Sequence, residues 1–213
     1  MEIDAPARSV RLSAGELARF RSAPTSNSGA NGQWRATLGQ EWHQTAAEQI
    51  QTKYPEARFE QTIKAIWHHR DWTFHIQGRI DQIIPIGKNK ITLREVKTIR
   101  MALPMPEEEL VTYYPHHLAQ LAIYLNLTRV LPEFESFKLN AELCWIDIDH
   151  GTLQVLTLNE DAAQAAFTRQ LDALLPFLND RREARQRLQE ATLKPPENFP
   201  TSHCNSLKRH GDT

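Results

Sequence analysis

Gly78-Arg79-Ile80-Asp81, followed across a turn by Glu95-Val96-Lys97-Thr98, is the stretch on which the fold is read. From 72 to 81 the chain alternates, with Trp72, Phe74, Ile76 and Ile80 on one face and Thr73, His75, Gln77, Arg79 and Asp81 on the other, which is the period of a strand. Gly87-Lys88-Asn89-Lys90 supplies turn chemistry, and alternation resumes over 91–99, so an antiparallel hairpin is expected. In the second strand Glu95 and Lys97 share a face with Ile91, Leu93 and Ile99, whereas Thr92, Arg94 and Thr98 form the polar face. The charged pair therefore points inward, and charges on an apolar face need a partner or a metal. Two carboxylates and an ammonium on neighbouring strands can hold a hard divalent cation against a phosphate and stabilise developing charge.

Two further patterns flank the hairpin. Upstream, Gly39-Gln40-Glu41-Trp42-His43 lies in a segment over 34–52 where Leu38, Trp42, Ala46 and Ile50 recur at helical spacing. His43 borders that stripe, where a lone histidine is ordinarily a packed, hydrogen-bonded residue. Downstream, Gln120-Leu121-Ala122-Ile123-Tyr124 places Gln120, Tyr124 and His117 in a row beside Leu118, Leu121, Ala122 and Leu125. By itself such a row is the edge of an amphipathic helix.

Taken together, the four motifs resemble the PD-(D/E)XK nuclease superfamily, and within it the RecB-like exonuclease branch found in CRISPR adaptation and in helicase-nucleases. The resemblance covers about 13–158. It implies an α/β fold with a restriction-endonuclease-like core, a central mixed β-sheet flanked by helices, and a C-terminal helical extension. It also implies a metal-dependent DNA nuclease, acting as an exonuclease. His43, Asp81, Glu95 and the carbonyl of Val96 would hold Mg2+ or Mn2+, and Lys97 would position water. Gln120 and Tyr124 would support the site and the DNA strand. A non-catalytic DNA-binding subunit of a helicase-nuclease complex is the alternative on the same fold. Many relatives carry an iron-sulfur cluster on four cysteines. Here Ala23 stands where the first would be and the chain has 2 cysteines, so no cluster is expected.

The chain has 213 residues, 40% of them hydrophobic, enough for one ordinary core. One domain over 1–194 is expected, with C-terminal helices from 159 and a tail over 195–213. The 25 basic and 26 acidic residues leave a formal charge of −1, so attraction for phosphate has to be local. Arg79, Arg94 and Arg100 cluster near the motifs and are the expected nucleic-acid contacts, although such clusters are often only solvated. DNA, single-stranded or with free ends, is the expected partner, beside a helicase, CRISPR or recombination protein. No run suits a bilayer and the polar start Met1-Glu2-Ile3-Asp4 lacks a signal peptide's pattern, so a cytoplasmic location is expected.

The order of elements expected is helix, three strands, helix, two strands. Ser13-x-x-Glu16 reads as a capping box opening a short helix, and 24–32 as a loop. Strands are expected over 58–67, 72–86 and 91–99, then a helix from Pro115, a hairpin over 138–148 and 152–158 turning at His150-Gly151, and a helical region capped by Asn159. Its last part, 181–194, is basic and polar and either lines a DNA path or is a solvated face. No Gly-rich phosphate loop of the Walker kind is present, and the adjacent pairs His68-His69 and His116-His117 point in divergent directions, which argues against zinc.

Overall fold

The computed structural model describes residues 1–20 and 32–193. Its strands are β1 (Glu2–Asp4), β2 (Ser9–Ser13), β3 (Arg58–His69), β4 (Trp72–Pro85), β5 (Lys90–Ile99), β6 (Lys138–Asp147) and β7 (Leu153–Leu158). Its α-helices are α1 (Ala14–Arg19), α2 (Gly32–Lys53), α3 (Glu107–Tyr113), α4 (Pro115–Arg129) and α5 (Glu160–Leu193). This is the α/β architecture expected, with a mixed seven-stranded sheet, flanking helices and a C-terminal helical extension. Of the expected loop over 24–32, residues 24–31 lie outside the described residues, as do the tail over 195–213 and Cys204, whereas Gly32 begins α2. Among the described residues no helix is long and apolar enough to cross a membrane.

Local chemistry sets most of the boundaries. Ser13 accepts from the Glu16 N–H (3.1 Å) while Glu16 accepts from the Ser13 N–H (2.7 Å), so the capping box closes as expected. Gly87 takes a φ of 76° in the β4–β5 turn, a conformation open to glycine at little cost. Asn159 caps α5 through the Ala162 N–H (2.7 Å). That helix runs unbroken through Pro176 as one element, where several helices had been expected, and its exposed basic half beyond 181 stands away from the core.

The sheet runs β1-β2-β4-β5-β6-β7, with β3 on the other edge of β4. The N-terminal strands were not expected, because β2 pairs in parallel with β4, Ser9 opposite Thr73 and Ser13 opposite Gln77, a contact that leaves no local pattern. β5 and β6 also pair in parallel, so the chain must cross over between them, and α3 and α4 make that crossing.

One edge of β4 therefore has two tenants. β2 occupies residues 73–77 and β5 occupies 82–85, while β3 takes the opposite edge. Between them Gly78-Arg79-Ile80-Asp81 has no strand partner on that edge.

The main core runs from Val10 to Leu178 and includes Trp72, Phe74, Trp145 and Phe167. The face of β5 read as polar is covered instead, since Val96, Cys144 and Ile146 form a smaller apolar cluster under Trp42 and Ala46 of α2. α4 departs further from expectation. Eleven of its residues from His117 to Thr128 are buried, so the stripe of His117, Gln120 and Tyr124 is interior rather than a solvent boundary.

His117 shows what that burial requires. Its Nδ1 accepts from the Trp145 indole N–H (3.2 Å), and Tyr114 stacks on its ring at 5.1 Å. Burial, with neighbouring positive charge, pushes its pKa down from 6.5 to about 2. A histidine kept neutral when folded takes up a proton only on unfolding. Its full contribution to stability is present above pH 6.5 and falls away as the pH drops below that value. His117→Asn keeps an acceptor near the indole and cannot titrate, so its stability should decline less steeply than that of the unmodified protein between pH 6.5 and 4.5, by up to about 1.4 kcal/mol per pH unit. Denaturant midpoints against pH measure this, and parallel curves would refute it.

Candidate active site

The ladder between β4 and β5 stops at the pair Gln82 and Arg94, one residue short of Asp81 and Glu95. There the strands part. The Asp81 carboxylate takes over as acceptor for the Val96 N–H (2.8 Å), satisfying a backbone donor that the ladder leaves free. Positions that simple alternation assigned to different faces thus converge on one opening.

Glu95 is 1% exposed. Its Oε1 meets Lys97 Nζ at 2.6 Å and accepts from Gln120 Nε2 at 2.8 Å, whereas its Oε2 is buried with no hydrogen-bond partner. An orphaned buried acceptor costs on the order of 1–3 kcal/mol. Burial raises the Glu95 pKa to about 8, against the pull of Lys97.

Gln120 is the hinge of the polar network. Its amide donates to Glu95 and also to the Tyr124 hydroxyl (2.9 Å), and the Arg79 backbone bonds the same phenol. Tyr124 is thereby seated against the stretch of β4 left open on its β2/β5 edge, and burial raises its pKa. Gly78 makes this seat. A Cβ there would come within 2.4 Å of the Tyr124 ring and 3.0 Å of Ala14.

His43 reaches the opening from α2. Its Nδ1 stands 3.9 Å from Asp81 Oδ2, and burial lowers its pKa, leaving a neutral imidazole with a lone pair to offer. The preceding residue anchors it: the Trp42 indole donates to the Ile148 carbonyl (3.1 Å) and its six-membered ring packs against Gly151, where a Cβ would approach to 2.5 Å. Gly151 also has a φ of 71°, so glycine is needed twice over at that turn.

These residues line a groove of about 1160 Å³, with His43, Arg79, Asp81, Glu95, Lys97, Gln120 and Tyr124 all on its wall. Arg94 and Arg100 are not part of that wall. The Arg94 guanidinium is committed to Glu142 Oε2 at 3.0 and 2.6 Å, a non-local pair between β5 and β6, and Arg100 is exposed. The basic stretch from 181 onward also lies off the groove.

Sequence reasoning missed Glu60. It stands opposite Asp81 in the β3–β4 register, adopts a φ of 53°, and pairs with Arg79 at 2.5 Å. Its charge raises the pKa values of both His43 and Glu95. Nothing in the alternation around it signals a left-handed residue.

The donor set fits a divalent cation chemically, offering carboxylate oxygens, one neutral imidazole nitrogen and an orphaned oxygen. In a strand the N–H and C=O of one residue leave the same edge, so the Val96 carbonyl faces the gap beside Asp81. As they stand, no three His, Cys, Asp or Glu side chains among the described residues are gathered closely enough to hold an ion. The Lys97–Glu95 ion pair fills part of that space. Taking up a cation would require Lys97 to give ground.

No family model matches the chain. Among curated proteins it is 28% identical over 123 residues to an acetyl-coenzyme A synthetase of Parvibaculum lavamentivorans, covering 57% of this chain and 18% of the synthetase. The same enzyme of Xylella fastidiosa is 28% identical over 125 residues, covering 58% and 19%. The chain thus spans about a fifth of the length of these relatives. Among solved structures, one described as SSO0001 aligns with a TM-score of 0.51 at 20% identity over 83% of this chain and 78% of that one, a likeness of fold alone. A second, from Eubacterium rectale and provisionally described as an exonuclease, aligns over 100% of this chain and 97% of that one at 10% identity, with a TM-score of 0.48.

Gly78→Ala should destabilise the protein by about 1–3 kcal/mol, because the Tyr124 ring has packed neighbours and cannot simply retreat. In a Tyr124→Ala background the same substitution should cost much less. A double-mutant cycle in denaturant measures the coupling, and additive costs would show that Gly78 is not there for Tyr124.

Proposed function

We propose that this chain is a metal-dependent deoxyribonuclease that hydrolyses phosphodiester bonds from strand ends. The observation that carries the reading is Glu95, a buried carboxylate with one oxygen held by Lys97 and Gln120 and the other without a partner, beside Asp81 in an open groove. A structural ion pair has no use for the orphaned oxygen or for the groove. A site that accepts a cation and a phosphate uses both.

His43, Asp81, Glu95 and the Val96 carbonyl would hold Mg2+ or Mn2+, the nitrogen making manganese at least as acceptable as magnesium. When bound, such an ion supplies charge neutralisation at the scissile phosphate and a water of lowered pKa. Lys97, on the same wall, orients the attacking water and stabilises charge as it develops on the phosphate. Gln120 fixes the Glu95 carboxylate through one N–H and is itself fixed by Tyr124 through the other. Arg79 presents its guanidinium to the groove from the Glu60 pair and can turn to a phosphate oxygen. DNA with free ends is the substrate class, in the cytoplasm, with a helicase, CRISPR or recombination protein as the class of partner.

The test is to incubate linear and circular single-stranded DNA with the protein in Mg2+ or Mn2+, beside Lys97→Ala and Asp81→Asn. Linear DNA should shorten and circular DNA persist, and either substitution should slow cleavage by roughly 100- to 1000-fold. Full activity in either variant would remove the assignment of the site. Metal-independent retention of intact DNA would make the protein a binding module.

A further inference from the structure

Next to the groove the sheet has an open face, and it is built in rows. Arg11, His75 and Ile66 are register neighbours across β2, β4 and β3, and Ser13, Gln77 and Lys64 form the next row toward Asp81. The burial pattern of the three strands alternates, leaving this side to solvent while Val10, Leu12, Phe74 and Ile76 fill the core on the other. Both rows line a cavity of about 670 Å³, and Ser13, Gln77 and Lys64 also line the candidate active site, so the two hollows are continuous.

We propose that this face is a track for an unpaired nucleic-acid strand leading to or from Asp81, Glu95 and Lys97. The proposal rests on the nuclease reading for its direction, and on charge and shape for the occupant. Arg11 and Lys64 are exposed and make no ion pair among the described residues, although Glu2 is the register partner of Arg11. Two cations without an ion pair among the described residues give the local attraction for phosphate that the net charge of −1 does not. Between them the His75 ring and Ile66, 57% exposed, offer flat and apolar surface at the level of the sheet.

That surface selects the occupant. Unpaired bases can be splayed onto a sheet carrying rings and cations, whereas a duplex keeps its bases stacked inside and would set Ile66 against phosphates. Asp81 lies six positions along β4 from His75, or about 20 Å at strand rise, so the Arg11 row would engage nucleotides beyond the one being cut.

The experiment measures binding of fluorescein-labelled oligothymidylate by anisotropy in EDTA, and cleavage of the same oligomer in Mn2+. Arg11→Glu and Lys64→Glu are compared with Lys138→Glu at the exposed start of β6 as a control. Each groove substitution should weaken binding and make the slope of log K against log salt shallower by roughly 0.7 or more. His75→Ala should weaken binding roughly fivefold or more with the slope unchanged. If the protein cuts DNA and these variants bind as tightly as it does, the track is overturned and the nuclease reading stands. Should the protein cut nothing while the groove variants alone lose binding, the track stands and the nuclease reading falls. Equal losses on a blunt duplex would overturn the single-strand assignment.

Discussion

The structure turns on four residues of β4 that have β3 along one edge and no strand along the other. A β-strand presents backbone donors and acceptors on both edges, and leaving them unpaired inside a protein is expensive. β2 and β5 approach the same edge of β4 from opposite ends and stop short of each other, so Gly78-Arg79-Ile80-Asp81 must be served by something else. Tyr124 takes the Arg79 backbone, and Asp81 uses its own side chain to serve β5 through the Val96 N–H. The gap that a regular sheet would close thus becomes the place where side chains from β4, β5, α2 and α4 meet. Gly78 is what lets an aromatic ring enter it.

The site is held from two sides by different forces. On one side α4 is embedded among the sheet, α1 and α5, so Gln120 and Tyr124 have little freedom and their hydrogen bonds form in a setting of low dielectric. On the other side α2 is a more exposed helix, fastened by the Trp42 indole over Gly151 and by the small cluster around Val96. His43 is therefore the more adjustable of the groups and Glu95 the least. That difference suits a site in which a buried carboxylate waits and a peripheral imidazole arrives.

Much of this was legible in the chain. The alternation through 72–81 and 91–99, the turn at Gly87, the box at Ser13 and Glu16 and the cap at Asn159 are all local chemistry, and local chemistry survives folding. The four motifs were brought together on one groove for the same reason, since each sits at a fixed place on its own element. What escaped depends on distant parts of the chain. The parallel pairing of β2 with β4 leaves no periodic trace, and the burial of α4 on all sides follows from how many elements surround it. Arg94 looked like a free cation until β6 brought Glu142 beside it. Glu60 was hidden because a left-handed backbone at a non-glycine residue is imposed by its surroundings.

The electrostatics explain why so costly an arrangement is kept. Glu95 loses its water, and its pKa rises to about 8 even with Lys97 2.6 Å away, so a single ammonium does not offset the burial. Evolution for stability alone would replace such a pair with apolar residues of similar size, which often stabilises a core. Instead, Gln120 spends both amide donors on holding Glu95 and Tyr124 in register, and Glu60 adds further negative potential across the gap. Negative charge is thus concentrated where burial most resists it. A proton or a cation relieves that concentration, and the open groove leaves either a way in.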